Sequence, residues 1–74
     1  MFRIYGDFNA IERRMYVRLW TPETNKELRN LGSKLREGLL VIVDDGSYES
    51  EGTLELGADG VWRARLVLGT GRDK

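Results

Sequence analysis

Glu12-Arg13-Arg14-Met15-Tyr16-Val17-Arg18-Leu19-Trp20 alternates two residue sets. Arg14, Tyr16, Arg18 and Trp20 fall on one parity, and Arg13, Met15, Val17 and Leu19 on the other. Strand side chains point to opposite faces with period two, so this spacing predicts a strand from Ala10 or Ile11 to Trp20. One face of it is mostly aliphatic and suited to a core. The opposite face presents guanidinium and aromatic groups in turn. Such a face can stack on bases, hold a partner protein, or simply be solvated.

Before this stretch, Phe2-Arg3-Ile4-Tyr5 alternates as a short first strand, and Gly6-Asp7-Phe8-Asn9 carries turn formers. After Trp20, Thr21-Pro22-Glu23 reads as a helix start. Threonine can cap free amides, and proline at the first helical position lacks an N–H that would be unpaired anyway. Thr24-Asn25-Lys26-Glu27 offers a second start with capping-box spacing. Leu28, Leu31 and Leu35 recur at helical spacing, and Gly32 is a candidate left-handed helix end, with Leu35 following in a covering loop. Leu39-Leu40-Val41-Ile42-Val43 is apolar on both parities and predicts a central strand. Asp44-Asp45-Gly46-Ser47 turns it into a strand from Tyr48 to Leu56, and Gly57-Ala58-Asp59-Gly60 turns that into Val61 to Leu68. The polar end, Gly69-Thr70-Gly71-Arg72-Asp73-Lys74, reads as a flexible tail. The predicted organisation is one small domain over 1–68, mainly β with one short helix, in the order β-β-α-β-β-β.

In the last hairpin, setting apolar against apolar requires paired residue numbers with an even sum. Two registers satisfy this: Leu54 against Trp62 with Glu51 against Arg65, or Glu55 against Arg63. Gly52 then leaves room for an indole or a strong bend. Both registers form acid–base pairs across the strands, which gives Arg63 and Arg65 a structural role, and Trp62 is expected in the core.

Seventy-four residues bury only a thin core. Cysteine is absent, which excludes disulfides and thiolate metal sites, and histidine is absent, which removes the usual general base and a common metal ligand. No signal-peptide layout opens the chain, and Leu39 to Val43 is far shorter than the roughly 20 residues that span a bilayer. A cytoplasmic protein with no membrane association fits these features. Net charge is zero but segregated: residues 1–36 hold eight Lys/Arg and four Asp/Glu, residues 37–62 seven acids and no base, and residues 63–74 four bases and one acid. That balance argues against a dedicated DNA binder and permits a dipolar surface.

Gly38 to Asp45, then Glu51-Gly52-Thr53-Leu54, then Gly60-Val61-Trp62-Arg63-Ala64-Arg65 resembles the later strands of SH3-like barrels. The likeness covers about half the chain and rests chiefly on Trp62 followed by Ala64. It implies a small, five-stranded, partly open SH3-like barrel serving as a binding scaffold. The chain departs from that pattern in lacking a peptide-groove signature and in placing a helix between the second and third strands. An OB-like barrel is the alternative, although its usual helix falls later in the strand order.

Acid pairs such as Asp44 with Asp45, and Glu49 with Glu51, read as turn and solvated-strand residues rather than as catalytic carboxylates. Asp44, Asp45 and Glu49 lack EF-hand spacing, and the glycines match neither the dinucleotide nor the P-loop pattern. The expectation is a non-enzymatic module with no cofactor and no small-molecule substrate. Its candidate binding residues are Arg14, Tyr16, Arg18 and Trp20. Tyr, Trp and Arg dominate interface hot spots, which points to a protein partner or self-association. Arginines beside stacking platforms also suit single-stranded nucleic acid, RNA in particular, as the alternative.

Overall fold

A computed structural model describes residues 1–13 and 15–74. The strands are β1 (Phe2–Tyr5), β2 (Ile11–Glu12), β3 (Tyr16–Arg18), β4 (Leu40–Asp44), β5 (Tyr48–Leu56), β6 (Trp62–Leu66) and β7 (Arg72–Asp73). The helix α1 (Pro22–Leu31) lies between β3 and β4. One sheet runs β1-β4-β5-β6-β3-β2, with β7 also on β5. β1 and β4 are parallel and the other pairs antiparallel. No pairing joins β1 to β2 among the described residues, so the sheet stays open.

The described residues thus form seven strands where five were expected, and two local causes account for the difference. The expected strand from Ala10 or Ile11 to Trp20 is a hairpin, with Ile11 opposite Val17 and Glu12 opposite Tyr16. Arg13 takes a positive φ of 50°, and Met15 N–H donates to the Glu12 carbonyl at 3.1 Å, closing the reversal. The second cause lies at the end expected to be a free tail. Arg72 and Asp73 pair with Glu49 and Tyr48, and Lys74 N–H donates to the Ser47 carbonyl. Thr70 makes this return feasible: its hydroxyl donates to the Val67 carbonyl and accepts from the Glu51 N–H, filling the gap between β6 and β7.

The helix begins and ends as its sequence dictates. Thr21 Oγ1 accepts from Thr24 N–H, Pro22 opens the first turn, and Gly32 ends the helix at φ 56°. The alternative start at Thr24 is not used, because Thr24 and Glu27 serve β1 instead. Thr24 Oγ1 donates to the Tyr5 carbonyl at 2.7 Å, and Glu27 accepts from the Tyr5 N–H at 2.8 Å. Two helix side chains therefore satisfy the outward backbone groups of an edge strand, which blunts that edge as a template for aggregation.

Packing is one-sided. Ile4, Val17, Leu19, Val41, Val43, Leu54 and Ala64 point to one face of the curved sheet and are buried there with Leu28 of α1. Phe8, Leu31, Leu35, Leu39, Trp62 and Leu66 close the margin. Trp62 is thus a half-buried rim residue. The hairpin uses the register Glu55–Arg63, which sets Leu56 against Trp62 and Leu54 against Ala64. Gly52 does not receive the indole; a side chain there would meet Val43, Ala64 and the Arg65 carbonyl. Although β4 is central, its second face is only partly covered, and Leu40 is 37% exposed.

Gly6 marks the tightest approach in this core, because an added Cβ would meet methyl groups of both Val43 and Val17. Gly6→Ala is expected to cost about 1–3 kcal/mol by overpacking, read as a lower urea midpoint with an unchanged slope. An unaltered midpoint would contradict this packing.

Candidate functional site on the outer face of the sheet

With Val17 and Leu19 fixed in the core, strand parity turns Tyr16, Arg18 and Trp20 outward. Tyr16 and Arg18 are half-buried, and Trp20 is 57% exposed beyond the end of β3. Arg14 lies outside the described residues. Pairing with β6 adds two arginines to the same face: Tyr16 stands opposite Arg65, and Arg18 opposite Arg63. From β5, Thr53 and Glu55 complete these two rows.

The arginines differ sharply in how they are held. Arg63 Nε donates to Glu12 at 2.7 Å, while Nη1 and Nη2 each donate to Asp59 at 3.1 Å. Nη1 also reaches the Val61 carbonyl. These contacts use four of the five guanidinium N–H donors and raise its pKa above the ordinary arginine value, chiefly through Asp59 and then Glu12. In return Arg63, aided by the Val61 N–H, holds the Asp59 carboxyl far below the usual carboxylate range. Arg18 is looser. Its Nη2 lies 3.4 Å from Asp59, its guanidinium carbon sits 5.8 Å from the Trp20 ring centroid, and its buried Nε has no partner among the described residues. Arg65 is exposed and makes no ion pair among the described residues. Beside this row an open cleft of about 600 Å³ is lined by Glu12, Arg13, Tyr16, Glu55, Asp59 and Arg63 with the turn at Gly57 and Ala58.

The structure therefore brings Tyr16, Arg18 and Trp20 to one outward face. Sequence reasoning missed the place of Arg65, which one of its two hairpin registers sets against Glu51; Arg65 stands opposite Thr53 and Tyr16. It also missed the acids: Glu55 is the registered neighbour of Arg63, yet the Arg63 guanidinium turns to Glu12 and Asp59. Arg13 is an exposed turn residue and does not lie over the core.

A second charged cluster sits at the other end of β5. Glu49 is buried, accepting from Arg3 at 2.9 Å and lying 2.6 Å from Arg72. Asp44 pairs with Arg3 at 2.9 Å and with Lys74 at 2.7 Å. Asp44 also accepts from the Gly46 N–H, and Asp45 accepts from the Ser47 and Tyr48 N–H groups, so these carboxylates anchor a turn and tie β1, β4, β5 and β7 together. Arg3 chiefly lowers the Glu49 pKa, and Lys74 that of Asp44. No described helix is long and apolar enough to cross a membrane.

Comparison with protein-family models, curated proteins and solved structures found no match, so the reading of this face rests on its own geometry.

Asp44, Glu49 and Asp59 all bind protons less readily when folded than when unfolded. Between the unfolded values, near about pH 4, and the lower folded ones, the unfolded chain carries more protons. Stability from these ion pairs is therefore complete above about pH 5 and lost as pH falls further. Melting followed by circular dichroism is expected to be flat between about pH 6 and 8 and to drop below about pH 5. A melting temperature unchanged down to about pH 2.5 would contradict the ion-pair assignments.

Proposed function

We propose that this chain is a non-enzymatic binding module that docks a protein partner on the outer face of β3 and β6. Tyr16, Arg18, Trp20 and Arg65 are the contact residues, with Arg14 belonging to the same parity in sequence. The observation that carries the reading is an exposed Trp20 and a half-exposed Tyr16 beside Arg65, which makes no ion pair among the described residues, on a face the core does not use. These are the residue types that dominate interface hot spots, and their apolar area is gained at low rotamer cost.

The local charge balance favours a protein over a nucleic acid. Phosphate tracking needs a net positive groove. Here Glu12, Glu55 and Asp59 offset all but one of the charges of Arg13, Arg18, Arg63 and Arg65, and Arg63 is paired with two of these acids, so the net positive charge is small. Mixed charge of this kind suits a partner that itself carries both signs. The carboxylates with shifted pKa values are all lowered, which makes them ion-pair partners at neutral pH and unsuited to proton donation. The architecture is read as SH3-like on the strength of the antiparallel β4-β5-β6 meander, with the parallel β1–β4 pair and α1 as its departures. Single-stranded RNA is the second reading, favoured by an exposed Trp20 ring with the Arg18 cation 5.8 Å from its centroid.

The test is a comparison of proteins retained by the immobilised chain and by a folded Tyr16→Ala/Trp20→Ala/Arg65→Ala variant. A partner retained by the first and lost by the second is expected, and identical retention would contradict the assignment. An amide NMR titration with short single-stranded RNA is expected to show no saturable shifts at about 150 mM salt. Saturable shifts at Tyr16 and Arg18 would put the RNA reading first.

A further inference from the structure

The outer face of the sheet carries its chemistry in stripes. β4 presents Leu40 and Ile42, β5 presents Glu51, Thr53 and Glu55, β6 presents Arg63 and Arg65, and β3 presents Tyr16 and Arg18. Across the sheet the order is therefore apolar, acidic, basic, then aromatic and basic. Glu51 and Glu55 make no ion pair among the described residues, and neither does Arg65. Opposite charges on adjacent strands of one face are thus left uncommitted by the fold.

This order is its own complement. A two-fold axis parallel to the strands, lying beneath the seam between β5 and β6, carries β5 over β6 and β4 over β3 of a second copy. Such a rotation preserves height along the strands, so the observed register decides which residues meet. Leu40, Thr53, Arg65 and Tyr16 share one height, and Glu55, Arg63 and Arg18 share the next outward-facing one. Leu40 of each copy then faces Tyr16 of the other. Arg65 of each copy lies over Thr53 of the other, one outward step of about 7 Å from both Glu51 and Glu55. An arginine side chain spans that distance. Every contact occurs twice, as in any isologous interface.

We infer that the partner docked on this face is a second copy of this chain, packed sheet to sheet about that two-fold axis. The inference rests on the reading of the face as a protein-binding surface. A standard interface takes about 800 Å² from each partner, roughly a sixth of the 4885 Å² that this chain exposes. The central contacts are charged, so the dimer is reversible and weakened by salt.

Sedimentation equilibrium tests this with three proteins of verified fold by circular dichroism: the unaltered chain, Arg65→Glu, and Glu51→Arg/Glu55→Arg. The unaltered chain is expected to show a reversible monomer–dimer equilibrium between about 10 μM and 1 mM, weaker at high salt. Each variant alone places like charges together at both copies of the contact, and its dissociation constant is expected to rise by about tenfold or more. Mixing the two variants restores attraction at one contact and keeps the native pair at the other, so the mixture dimerises. Pairing within one chain cannot produce that rescue. A monomeric unaltered chain up to about 1 mM overturns the second-copy inference and leaves the face open to a different protein. A dimer insensitive to these variants and to Tyr16→Ala is formed through another surface, which overturns the second-copy inference for this face and likewise leaves the face open to a different protein.

Discussion

A one-sided core is the constraint on which the rest of this structure depends. Ile4, Val17, Val41, Val43, Leu54 and Ala64 all point to the same side of one sheet, and α1 supplies Leu28 to cover them. A chain of 74 residues has too little apolar material to cover both sides. Parity then determines everything outside: each buried residue of a strand leaves its neighbours on the opposite face. Tyr16 and Arg18 are outward because Val17 is inward, and Arg63 and Arg65 are outward because Ala64 is.

Charge organises that leftover face in two ways. At one end of β5, Glu49 and Asp44 are committed to Arg3, Arg72 and Lys74, which lock the end of the chain against the sheet. In the middle, Arg63 is committed to Glu12 and Asp59, which brace the β2–β3 hairpin against the turn before β6. Arg65, Glu51 and Glu55 are committed to nothing among the described residues. Committed and uncommitted charges therefore lie along the same strands, and Trp20 is exposed beyond the end of β3.

Local signals made much of the fold legible in the sequence. Thr21-Pro22 and Gly32 bound the helix because capping and a positive φ are decided within a few residues. Asp44-Asp45-Gly46 turns where expected, through side-chain bonds to the next amides. The face of Tyr16, Arg18 and Trp20 was legible for the same reason, since parity needs no knowledge of the partner strand. What was hidden is non-local or carried by atypical residues. Arg13 adopts a left-handed conformation without a glycine or asparagine to signal it, so a hairpin looked like one strand. The parallel β1–β4 pairing joins residues about forty apart, and the return of Arg72 to β5 is held by a threonine hydroxyl in a glycine-rich segment and by ion pairs to Glu49 and Asp44, which lie more than twenty residues away in sequence. The place of Arg65 opposite Tyr16 was not legible, because it depends on β3 meeting β6, which no local pattern reveals.

The inward and outward assignment of β3 is the claim from which the proposed binding face follows. A carbon-edited NOE spectrum of the Val17 methyls and the Tyr16 ring tests it directly. The structure predicts cross-peaks from Val17 to the Ala64 methyl and the Gly6 α-protons, and from Tyr16 to the Arg65 side chain. Cross-peaks from the Tyr16 ring to the methyls of Val43 or Leu54 would reverse the strand and contradict the account.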